Sequence, residues 1–147
     1  MENNYYDEYQ MINRQKIAFR TFLITLILVF LNGIIAEMYV WAAPIIQAMI
    51  ILVLATGYFT TCAIFKNAYL NRKVKNPYVN VFLFAILGIS NAVVSFSSLS
   101  RLGRAYLIHD GKLGDGIMPL ILGVFFLYIS VITLIKVISE RRQNDDE

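Results

Sequence analysis

The sequence predicts an all-α integral membrane protein, a four-helix antiparallel bundle with both termini in the cytoplasm. Three observations predict it. Residues 21–36, 38–65, 76–100 and 116–135 carry no charge, and each stretch is rich in Ile, Leu, Val and Phe. A helix needs about 20 mostly apolar residues to cross a bilayer, so with a few flanking residues these stretches supply four crossings. The chain is 58% hydrophobic and only 16% charged, where a soluble domain carries about 25% charged residues. The third observation is the placement of the basic residues, which gather at alternate ends of the apolar stretches.

Span one is placed at residues 17–38. It follows Arg14 and Lys16, and Arg20 can lay its stem along the span and return its head to the headgroups. Span two is placed at 44–65. Pro44 suits a first helical position, where a missing N–H costs little, and Ala43 before it is biased away from helix. The two spans therefore form a tight hairpin. The polar run 66–73 holds no helix breaker, so helix two is expected to continue past the membrane, in the cytoplasm or on the inner surface. Span three, at 78–99, starts after Asn76-Pro77. Span four, at 117–137, starts after the turn dipeptide Asp115-Gly116 and ends near Lys136. Residues 1–147 then make a single transmembrane domain, with a cytoplasmic loop at 66–77 and an outer loop at 100–116.

Cytoplasmic flanks of membrane proteins are enriched in Lys and Arg. Arg14, Lys16, Arg20, Lys66, Arg72, Lys73, Lys75, Lys136, Arg141 and Arg142 fall on one side, ten of the 13 basic residues. Only Arg101, Arg104 and Lys112 fall on the other. Tyr39 and Trp41 suit the outer interface, and Tyr69 and Tyr78 the inner one. The formal charge is +3, but the basic residues sit beside spans instead of on one water-exposed face, so no nucleic-acid partner is expected. The lipid bilayer is.

The spans hold no Asp, Glu, His, Lys or Arg near the bilayer midplane. Proton-coupled carriers place such a residue inside despite its cost, so proton-driven export is not expected. Cys62 stands alone in span two and reads as a small packing residue. His109, Asp110 and Asp115 share the outer loop, but they lack the ligand count and spacing of a zinc site. No cofactor, metal or catalytic residue is expected, and the chain is read as a non-enzyme.

Two surfaces stand out. In span three, Ala85, Gly88, Ala92 and Ser95 share one face by their spacing. Small residues let membrane helices approach closely, and Ser or Asn can hydrogen-bond between them; close packing is the reading the spacing favours. The functional alternative is a polar cleft in the outer half of the bilayer. It would be built from Asn32, Gln47, Asn91, Ser95 and Ser98, with Glu37 and Arg101 at its mouth. The second surface is the N-terminal segment, where Tyr5, Tyr9 and Ile12 fall on one helical face suited to lipid or a cytoplasmic partner. Arg101 and Arg104 offer a similar lipid or partner contact outside.

The run Asp7-Glu8-Tyr9-Gln10, followed by Asn13-Arg14-Gln15-Lys16 directly before span one, resembles small multi-span membrane proteins of low-GC Gram-positive bacteria. The resemblance covers about the first 20 residues and the hairpin layout. It implies a bacterial plasma membrane and transfers no catalytic or binding residue. The functional expectation is a contact-based protein: an accessory subunit, a regulator or an immunity-type protein, meeting a membrane-protein partner or its own copies. The alternative is a small homo-oligomeric channel or carrier for a neutral or amphiphilic solute. A membrane enzyme comes third.

Overall fold

The computed structural model describes residues 8–66, 68, 78–103, 106–109 and 111–145. They form helices α1 (Glu8–Met38), α2 (Pro44–Phe65), α3 (Tyr78–Leu102) and α4 (Ile117–Asp145), with a two-stranded antiparallel hairpin between α3 and α4, β1 (Ile108–His109) and β2 (Lys112–Leu113). Each of the four helices is long and apolar enough to cross a membrane. The many hydroxyls within them bond locally. Thr21, Thr25, Thr61 and Thr133 each donate to the carbonyl four residues back, at 2.7–2.8 Å. A polar side chain in an apolar helix is thereby satisfied without water.

Helix ends depart from span ends for identifiable reasons. α1 starts at Glu8, not at residue 17, and its 31 residues extend about 46 Å, well beyond the ~30 Å hydrocarbon core. Its N-terminal polar residues are adequate helix formers, so the helix continues through them. Residues 8–16 are therefore a helical extension of span one. α2 does not extend past its span. It stops at Phe65, and the Ala68 amide donates back to the Ala63 carbonyl at 2.8 Å. This five-residue return is the bond of a Schellman-type stop, and it delivers Ala68 into full burial beside Ile17 and Ala63.

The extensive helix packing among the described residues joins α1 to α2, α2 to α4, and α4 to α3. The helices thus neighbour one another in the order α1, α2, α4, α3. The α3–α4 seam is a close backbone approach. A Cβ at Gly88 would stand 2.7 Å from Leu127 Cγ and 2.9 Å from the Leu127 amide nitrogen, so only glycine fits. Gly123 lies close to the Ala92 backbone, where a Cβ would stand 3.1 Å from the Ala92 amide nitrogen. Phe84 stacks on Phe126 with ring centroids 6.2 Å apart, and the Ser130 hydroxyl donates to the Val81 carbonyl at 2.9 Å. The small-residue face of span three is therefore the surface that packs on α4.

The α1–α2 seam is built differently. Ile17 packs with Ala63 and Ala68 at one end, flanked by Phe59 and Cys62. A side-chain amide pair, Asn32 with Gln47, joins the helices at the other end. Between α2 and α4, Thr61 and Tyr128 share a hydroxyl–hydroxyl bond of 3.0 Å.

Candidate functional site

The most built-up region of the molecule lies where the α1–α2 connection meets the hairpin. α3 ends because Gly103 turns left-handed (φ 66°) and its amide closes on the Leu99 carbonyl at 2.9 Å, a turn glycine adopts without steric cost. The chain reverses again at Gly111 (φ 74°), with Ile108 opposite Leu113 and His109 opposite Lys112. Asp110, the other residue of that turn, lies outside the described residues. Asp-Gly between two strands is a strong two-residue hairpin signal.

This hairpin is fastened to the helix connection. The Leu113 amide donates to the Trp41 carbonyl at 2.9 Å, and the Tyr39 hydroxyl donates to the Gly111 carbonyl at 3.0 Å. Ala42, fully buried, forms a parallel bridge with Leu113. The Ala42 carbonyl in turn accepts from Gln47 Nε2 at 2.8 Å, and Gln47 Oε1 accepts from Asn32 Nδ2 at 2.9 Å. One polar route thus runs from the hairpin through the connection to α2 and α1. On the other side, Gly116 is buried against Tyr106, whose carbonyl and ring leave no room for a Cβ.

Around these contacts lies a groove of about 690 Å³. Val40, Pro44 and Leu102 give it apolar walls, and His109, Lys112 and Asp115 give it polar ones. Neither Lys112 nor Asp115 has an ion-pair partner among the described residues. A second groove of about 410 Å³ runs between α2 and α4, lined by Gly57, Tyr58, Leu120, Val124 and Tyr128 among others.

Of the residues expected to form a polar cleft, the structure brings Asn32 and Gln47 together. Asn91 instead donates to the Leu87 carbonyl of its own helix at 2.8 Å. Ser95 is buried, Ser98 is half-buried, and Glu37 and Arg101 are exposed. None of these seven lines either groove. On the N-terminal surface, Tyr9 and Ile12 are exposed on α1, while Tyr5 and Arg104 lie outside the described residues. Among the described residues no three His, Cys, Asp or Glu side chains are grouped to hold a metal ion. The groove residues Lys112 and Asp115 escaped sequence reasoning as a pair, although the Asp-Gly turn before them was the available signal.

Four helices of spanning length and composition define a multi-pass membrane protein. No protein-family model, curated protein or solved structure matches the chain.

Proposed function

We propose that this chain is an antiparallel four-span protein of a bacterial plasma membrane, with both termini cytoplasmic, that works through contacts and not through catalysis. It would serve as an accessory subunit, a regulator or an immunity-type protein. The observation that carries the reading is the position of α1 at one edge of the helix row. It packs extensively on α2 alone, and none of the most apolar window of α1 is buried. A long apolar helix with one neighbour offers its remaining faces to lipid or to another membrane helix.

Contact pairs support the antiparallel course: Ile17 meets Ala63 while Asn32 meets Gln47, and Val81 meets Ser130 while Gly88 meets Leu127. The excess of basic residues at the ends away from the hairpin supports cytoplasmic termini. A solute path would need polar side chains turned to a common lumen. Asn32, Gln47 and Asn91 have hydrogen bonds that hold helices or cap their own turn, which favours the contact reading over a channel.

Crosslinking in intact membranes, followed by mild detergent extraction and mass spectrometry, tests this. The expected result is one recurrent membrane-protein partner whose capture falls when Phe30→Arg alters the exposed face of α1. Recovery of only monomer or homo-oligomer would contradict a hetero-partner.

A further inference from the structure

We infer that the groove at the hairpin holds the headgroup of a phospholipid bearing a primary ammonium, of the ethanolamine type. The inference rests on the membrane-spanning reading above and names a ligand for one end of the molecule. The groove lies beside Tyr39 and Trp41, amphipathic aromatics of the kind that sit at headgroup depth. Lipid is the amphiphile present at that depth.

The lining selects among lipids by charge. Lys112 and Asp115 stand on one groove, opposite in sign, and neither is neutralised by a partner among the described residues. Such a groove complements a molecule carrying both charges: the phosphate faces Lys112 and the ammonium faces Asp115. A purely anionic headgroup would meet the Asp115 carboxylate unfavourably. A choline headgroup has the positive charge but no N–H to donate, so it forgoes the charge-assisted hydrogen bond that a carboxylate accepts. Val40, Pro44 and Leu102 supply apolar surface for the glycerol and upper acyl chain. The volume of about 690 Å³ falls in the usual range for small-molecule sites. The hairpin is fixed by its bonds to Tyr39 and Trp41, so Lys112 and Asp115 are presented without ordering a loose loop first.

The test uses the full chain purified in detergent and titrated with lipids of identical acyl chains, read by native mass spectrometry, with flotation on vesicles in parallel. Ethanolamine lipid is expected to bind about tenfold more tightly than choline or glycerol lipid, the scale of one charge-assisted hydrogen bond. Asp115→Asn should reduce that preference to about twofold or less, while Lys112→Ala should weaken ethanolamine and choline lipids alike. Both side chains are exposed and have no ion-pair partner among the described residues, and circular dichroism checks that each variant keeps its helices. Equal binding of ethanolamine and choline lipids by the unmodified chain would overturn the inference, as would a preference that survives Asp115→Asn. Saturation by soluble glycerophosphoethanolamine as tightly as by the lipid would overturn it too, since the apolar wall would then contribute nothing. A chain that floats with vesicles yet shows no preference contradicts this inference alone. A chain that floats with no vesicle contradicts the membrane reading and this inference together.

Discussion

The α3–α4 seam and the α1–α2 seam join helices of similar length and composition by different means. At α3–α4 the backbones themselves approach, with Gly88 under Leu127 and Gly123 against Ala92. At α1–α2 the helices are tied by the Asn32–Gln47 amide bond and by the packing of Ile17 on Ala63 and Ala68. In a bilayer the lipid tails are as apolar as the side chains, so helix association depends on close packing or on interhelical hydrogen bonds. Both pairs use both devices in different proportion: close backbone approach dominates α3–α4 beside the Ser130–Val81 hydrogen bond, whereas a side-chain amide bond distinguishes α1–α2. The packed seam tolerates no added atom, whereas the tied seam depends on a few polar atoms and on the connection that orients them.

The largest effect should come from breaking the packed seam. Gly88→Ala puts a methyl into Leu127, including its backbone nitrogen, and should destabilise the protein by about 1–3 kcal/mol, the usual cost of overpacking. Thermal unfolding in detergent would measure it. Gly57→Ala sharpens the contrast. Its Cβ would meet only Phe125 Cε2, at an ordinary 3.6 Å, so the gain in helix propensity should leave stability unchanged or raised by up to about 1 kcal/mol.

The tied seam comes next. Asn32→Leu and Gln47→Leu should each cost about 0.6–1.7 kcal/mol, the span measured for hydrogen bonds between membrane helices. Gln47→Leu should cost more, because Gln47 also donates to Ala42 and so reaches the hairpin. The double variant should cost less than the sum, and full additivity would show that the pair does not interact. Thr61→Ala removes the bond to Tyr128 that links α2 to α4, and should cost about 0.6 kcal/mol. The smallest effect should be Tyr39→Phe. Its bond to Gly111 is exposed, and stability should move by no more than about 0.5 kcal/mol.

The two seams also differ in how legible they were. The face Ala85, Gly88, Ala92 and Ser95 announced close packing through its spacing, and the structure lays it on α4. Asn32 and Gln47 were recognisable as polar residues of similar depth, but their pairing depends on helix rotation, which periodicity in a nearly uniform apolar helix leaves open. Asn91 showed the same chemistry and turned to its own backbone instead. The bounds of α2 matched, because Pro44 marks its start and the apolar run ends at Phe65. The start of α1 and the ends of α3 and α4 lay beyond the span bounds: charge marks the edge of a membrane, while a helix continues until a residue such as Gly103, after α3, stops it. The hairpin turn had a local signal in Asp110-Gly111, but its docking and the groove were least legible, since they arise from contacts of residues 39–42 with 111–113 that no local pattern encodes.

The course of the chain through the membrane underlies both the lipid groove at the hairpin and the exposed face of α1. Single cysteines introduced as Lys112→Cys and Arg142→Cys, each with Cys62→Ser, can be challenged in intact cells with a membrane-impermeant maleimide. The position on the hairpin should label in intact cells, and the position near the end of α4 should label only after permeabilisation. Equal labelling of both in intact cells, or labelling of Arg142→Cys alone, would contradict four crossings with cytoplasmic termini.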